Sequence, residues 1–202
     1  MSRVVVVTGA TGETGRAVAT LLTARGDTVI AVGTSAERLA TVDAAERHVA
    51  DLLDRDAAAA LAADVATRHP HVDGILHLVG GWKPGWGDDV TDWLNARLVT
   101  SLLDVSEAFE GMLLAAPAGR LAIVSSTVVT HDGPPTSAYA AAKLAAEAWL
   151  AQLTARWAGT PTGAVTYVVR SIGDGAKDTA PAALAEALAG VWDQAPGARV
   201  VL

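Results

Sequence analysis

Residues 4–22 read "VVVVTGATGETGRAVATLL": four valines, then Gly9, Gly12 and Gly15, then a stretch rich in alanine and leucine. Consecutive β-branched residues suit a strand, and the Ala/Leu pattern suits a helix near 13–25. The glycines fall at the turn between them. Glycine permits a tight turn there and lets backbone N–H groups approach a phosphate, and the helix N-terminus adds partial positive charge. Gly9, Thr11, Gly12, Glu13, Thr14 and Gly15 are therefore the candidate phosphate cradle. The spacing G-x-x-G-x-x-G alone would also fit a turn with no ligand; its place at the first strand–helix junction favours the cradle.

Outward from this turn the same alternation continues. Short β-branched runs at 3–8, 27–32, 47–50, 73–79, 120–125, 164–169 and 198–202 alternate with helical patterns near 13–25, 35–41, 54–69, 88–115, 137–158 and 180–193. Apolar runs of this kind suit strands buried on both faces. The pattern predicts an α/β, doubly wound fold: a parallel sheet of about seven strands with helices on both faces, in one domain over residues 1–202.

Composition bounds the chemistry. Of 202 residues, 51% are hydrophobic, enough for a sizeable core. The net charge of -7 disfavours nucleic acid as a partner. With no cysteine, disulfides, thiol nucleophiles and cysteine metal sites are excluded. No apolar run approaches the roughly 20 residues of a membrane span. The expectation is a cytoplasmic protein with a small-molecule ligand and neither membrane nor metal.

Where the second strand ends, a dinucleotide site that takes an unphosphorylated ribose usually carries an acid. Here "AVGTSAER" offers Thr34, Ser35 and Arg38, which suit a 2′-phosphate, so NADP is preferred over NAD. Ser35 can equally be the N-cap of the next helix. After the third strand, Asp51 and Leu52 stand where an adenine would lie, although Asp51 can also cap the following helix.

"SAYAAAKLAAEAWL" at 137–150 carries Tyr139 and Lys143, an i,i+4 pair on one helix face. An ammonium beside a phenol favours the phenolate, and a tyrosine so tuned serves as general acid or base. Ser126, at the end of the fifth strand, lies 13 residues earlier. Ligands bind beyond the carboxyl ends of parallel strands, so Ser126 can meet Tyr139.

"TGATGETG", "ADLLD", "IVSS" and "YAAAK", in this order along the chain, resemble the short-chain dehydrogenase/reductase family. The resemblance implies NAD(P)-dependent hydride transfer between nicotinamide and a carbonyl/alcohol pair. Tyr139 would be the general acid/base, Lys143 would bind the nicotinamide ribose and tune Tyr139, and Ser126 rather than Ser125 would orient the carbonyl. It also implies a homo-oligomer, dimer or tetramer, paired through the helices of 88–115 and 137–158.

Four departures from the family pattern stand out. Val79, Gly80 and Gly81 replace the asparagine-containing turn after strand four, and "GGW" resembles the quinonoid dihydropteridine reductase branch, which reduces a pterin. Leu98 falls where the family often has a catalytic asparagine, with Asn95 one turn away. Arg170 and Ser171 replace Pro-Gly after strand six, which makes Arg170 a candidate cofactor contact and leaves the Ile172 backbone to face the carboxamide. Only about ten residues follow before the next helix, where a substrate lid is common, which implies an open site, a large substrate or a lid from elsewhere. With these departures, a dinucleotide-sensing scaffold is the non-enzymatic alternative.

Trp82, Trp86 and His131 are candidate substrate contacts, because all follow strand ends at the ligand edge. His77, inside a strand, reads as a satisfied core residue. Trp93 sits near the start of the 88–115 helix. Trp93, Trp149, Trp157 and Trp192 read as packing groups.

Overall fold

The computed structural model describes residues 2–130 and 132–202. Seven parallel strands form one sheet in the order β3-β2-β1-β4-β5-β6-β7. They are β1 (Val4–Thr8), β2 (Thr28–Gly33), β3 (Glu46–Val49), β4 (Gly74–His77), β5 (Arg120–Ser126), β6 (Gly163–Val169) and β7 (Arg199–Val201). The strand order reverses between β1 and β4, which opens a crevice at their carboxyl ends. Among the described residues, no helix is long and apolar enough to cross a membrane.

Side-chain alternation sends the valines of β1 to opposite cores. Val6 packs with Ile30, Ile75, Leu121 and Phe109 on one face. Val5 and Val7 pack with Val29, Ala31, Leu76 and Tyr167 on the other. Helices α1 (Glu13–Ala24), α2 (Ala36–Leu39) and α7 (Pro181–Ala189) supply buried residues to the second core. Helices α3 (Arg55–Ala66), α5 (Ser101–Leu114) and α6 (Ala138–Arg156) supply the first.

Three expectations need correction. The interior strands are buried on both faces, but β3 and β7, the outermost strands, alternate between half-buried and exposed positions. The helix expected over 88–115 is broken: α4 (Asp88–Asn95) passes through one π-helical turn, Ala96–Thr100, into α5. The pattern at 180–193 splits likewise into α7 and a short 3₁₀ turn, Val191–Asp193. A single wide-turn insertion leaves the apolar period nearly intact, so the sequence pattern does not reveal it.

Two glycines hold the β1–α1 turn. Gly9 adopts φ 63°, and a Cβ there would meet the Leu78 carbonyl oxygen at 2.6 Å. A Cβ on Gly15 would lie 2.5 Å from the Gly9 oxygen and 2.8 Å from the Ala10 Cα. Both contacts are with backbone, which cannot rotate away. Gly15→Ala is therefore expected to cost about 1–3 kcal/mol of stability, the usual penalty for overpacking, seen as a lower urea midpoint.

Candidate active site

A cleft of about 680 Å³ lies along the carboxyl ends of β1, β4, β5 and β6. Gly9, Gly12, Glu13, Thr14 and Gly15 line one end. Val79, Gly80, Gly81 and Trp82 line the middle, with Ser126, Tyr139, Lys143, Arg170 and Ile172 beyond. These residues come from five separate segments of the chain.

The glycine end suits an anion. Gly12 is the N-cap of α1 and gives it no side-chain cap, so the first-turn N–H groups have no capping side chain over them. Thr11 is buried beside the cleft, and its carbonyl accepts from Arg38 Nη2 at 3.0 Å and from Arg16 Nη1. The sequence reading missed Arg16. Its position next to Gly15, in the first turn of α1, was the available signal.

Thr34, Ser35, Arg38, Asp51 and Leu52 follow β2 and β3, outside the lining of the main cleft. Ser35 is the N-cap of α2 and accepts from Arg38 N at 3.3 Å. Asp51 does not cap α3. Its Oδ1 accepts from Leu53 N at 3.1 Å, and the cap is Asp54, which accepts from Asp56 N at 2.9 Å. Leu52 is buried in the core.

Helix α6 starts at Ser137, whose Oγ accepts from Ala140 N at 3.1 Å. Ala138, Ala142, Ala146 and Leu150 are buried along one stripe of this helix, and Tyr139, Lys143 and Glu147 follow at i,i+4 spacing beside it. Lys143 Nζ donates to the Val124 carbonyl at 2.7 Å and lies 5.7 Å from the Tyr139 ring centre. Burial lowers the Lys143 pKa to about 8, against the opposing pull of the Glu147 charge. Burial also raises the Tyr139 pKa. This direction corrects the expectation of a phenol tuned down by its lysine: one ammonium N–H is directed to a strand carbonyl, and desolvation of the phenolate dominates.

The two serines at the end of β5 differ. Ser125 Oγ donates to the buried Glu147 carboxylate, which Arg199 Nε also holds at 2.9 Å. Among the described residues, Ser126 Oγ only accepts a long bond from Val128 N at 3.4 Å. Glu147 was missed from sequence; extending the Tyr139/Lys143 face by one more i+4 step would have found it.

His77 is 4% exposed. Its Nδ1 pairs with Thr8 Oγ1 at 3.1 Å and its Nε2 with Ser101 Oγ at 3.2 Å. Burial, reinforced by the Lys143 charge, pushes its pKa down to about 3, so the ring is neutral.

A family model described as short chain dehydrogenase matches residues 3–171. The chain belongs to the short chain dehydrogenase family. It is 30% identical over 161 residues to the uncharacterized oxidoreductase YciK of Escherichia coli (strain K12), covering 72% of this chain and 64% of that protein. It is 31% identical over 155 residues to a 3beta-hydroxysteroid dehydrogenase of Mediterraneibacter gnavus, covering 70% of this chain and 55% of that one. The chain thus spans about three fifths of the length of these curated relatives. In fold it matches a Shigella flexneri short chain dehydrogenase solved with NADP, at TM-score 0.86 and 23% identity, over 98% of this chain and 96% of that one.

Within this short-chain dehydrogenase fold the departures acquire shape. Leu98 sits in the π turn and is buried with Leu94, Ala138 and Ala142, while Asn95 is exposed on the preceding turn. Trp82 lines the cleft and is 68% exposed. Trp86, 63% exposed, does not line the cleft. The third substrate candidate, His131, lies outside the described residues. The segment after β6 folds on itself: Asp178 accepts from Ser171 Oγ and from Gly175 N at 3.1 Å, and Ile172 bridges Thr179.

Proposed function

We propose that this chain is an NAD(P)-dependent oxidoreductase that interconverts a carbonyl and an alcohol on a small molecule, with Tyr139 as general acid/base. The observation that carries the reading is that Ser126, Tyr139 and Lys143 share one cleft with the glycine turn. A bound nicotinamide dinucleotide would supply or accept the hydride. The uncapped start of α1 fits its phosphates, and Val79, Gly80, Gly81 and Ile172 fit the nicotinamide half. Ser126 Oγ, free of a strong partner, orients the carbonyl oxygen. Tyr139 Oη gives that oxygen a proton, and its high pKa keeps it protonated until then. Lys143 stabilises the tyrosinate that forms, and Glu147 and Ser125 hold the end of β5 and α6 in register behind them. In this reading the protein is a cytoplasmic homo-oligomer.

The test is reduction of a carbonyl panel with 4-deuterated NADPH and NADH. The expected result is deuterium on the carbinol carbon. Tight dinucleotide binding with no transfer to any carbonyl would instead favour the sensing scaffold. The exposed ring of Trp82 at the cleft gives one observation for a second reading, reduction of a C=N bond on a flat pterin. Turnover of simple ketones with none of quinonoid dihydropterin removes it.

The dinucleotide preferred in this reading is NADP. Arg16 and Arg38 meet at the Thr11 carbonyl, and neither has a carboxylate partner among the described residues. Thr34 and Ser35 lie alongside, and no acid stands at the end of β2 to repel a 2′-phosphate. The double variant Arg16→Ala/Arg38→Ala is expected to lower the NADPH-over-NADH ratio of kcat/KM by about tenfold or more, the scale of lost charge-assisted hydrogen bonds.

A further inference from the structure

Arg170 directly follows Val169, the register partner of Ser126 on the neighbouring strand. It is exposed, lines the cleft, and makes no hydrogen bond or ion pair with any described residue. Of the two acids in the segment beyond it, Asp178 is engaged by Ser171 and Gly175, and Asp174 is exposed and forms no ion pair with Arg170. Among the described residues, the other cationic side chain lining the cleft is Lys143, which donates to the Val124 carbonyl. Among the described lining residues the one carboxylate, Glu13, sits at the β1 end. In a chain of net charge -7, an unpaired guanidinium beside Ser126 is not background.

Position separates this charge from the phosphate cradle. In the strand order, β6 lies three spacings from β1, about 14 Å at 4.7–4.9 Å per strand. The rim near Arg170 is apolar: Trp82, Val128 and Ile172 line the cleft and are 68%, 42% and 46% exposed. A planar guanidinium fork matches a carboxylate in geometry as well as charge.

We propose that Arg170 is a specificity residue that binds a carboxylate on the substrate, so that the preferred substrates are oxo acids with an apolar or aromatic body. The proposal rests on the oxidoreductase reading above and moves Arg170 from the cofactor to the substrate. The carboxylate lies close to the carbonyl in such a molecule, because Arg170 adjoins the strand pair that presents Ser126.

The probes are benzoylformate and its methyl ester, titrated calorimetrically into the full chain loaded with NADP⁺, which cannot reduce either. The acid is expected to bind at least about tenfold tighter than the ester, the scale of a charge-assisted hydrogen bond. Arg170→Ala is expected to remove that preference and Arg170→Lys to keep part of it, with NADP⁺ affinity changed less than about twofold, since neither charge nor contact at the cradle changes. Equal binding of acid and ester, no binding of either, or a preference that survives in Arg170→Ala overturns the proposal. So does a tenfold loss of NADP⁺ affinity with the acid/ester ratio intact, which returns Arg170 to the cofactor. Arg170-dependent acid binding with no NADPH oxidation by any carbonyl keeps the carboxylate site and removes the redox reading, so the two failures are distinct.

Discussion

Tyr139→Phe is expected to lower kcat for carbonyl reduction by about 10²- to 10⁴-fold, the range lost when a positioned general acid is removed. Dinucleotide affinity should change little, because the ring remains and only the hydroxyl is lost. The chemistry requires this separation. The phenol is half-buried and raised in pKa, so at neutral pH it is a proton donor rather than a standing phenolate. Its contribution is made at the transition state, where the carbonyl oxygen gains charge. Lys143 sets the alkaline limit. With its pKa lowered to about 8, the ammonium is lost above that pH, and reduction should fall along with it. Steady-state kinetics from pH 6 to 10 on both proteins checks the assignment. Full activity in Tyr139→Phe with a substrate that the parent reduces would falsify it.

The second large effect concerns stability in acid. His77 is buried as a neutral ring, with its pKa lowered from 6.5 to about 3. The unfolded chain takes up a proton below pH 6.5, and the folded chain refuses it until about pH 3. Stability therefore falls as pH drops through this window. At about 1.4 kcal/mol per pH unit, the loss from this one residue is on the order of several kcal/mol when the window is crossed fully. His77→Gln should cost about 1–2 kcal/mol at pH 7, through poorer bonds to Thr8 and Ser101, and flatten the dependence below pH 6.5. Urea unfolding at pH 7, 5.5 and 4 compares the two slopes. Parallel slopes would assign the acid lability to other groups. The residue also links stability to the site, since the lysine charge that helps hold His77 neutral belongs to Lys143.

Most of the sheet was legible in the sequence because periodicity and turn chemistry are local. The valines of β1, the glycine turn and the Ala/Leu run of α1 each state their own conformation, and the six later strands repeat the signal. The edges were not legible. Glu46–Val49 and Arg199–Val201 are the outermost strands, and every second side chain there meets solvent, a fact of their place in the sheet rather than of either segment.

The candidate site divides in the same way. The sequence by itself determined the strand-end position of Ser126 and the shared helix face of Tyr139 and Lys143, because the carboxyl ends of strands and i,i+4 spacing follow from local geometry. Only the tertiary structure decided which groups they face. Ser125 turned to Glu147 while its neighbour did not, Lys143 reached the Val124 carbonyl, and the Tyr139 pKa rose instead of falling. Trp82 reached the cleft and Trp86 did not. Arg16 met Arg38 at one carbonyl although 22 residues separate them. The physical reason is common to all of these: desolvation and pairing are set by atoms brought in from distant segments, and a spacing rule carries no information about them.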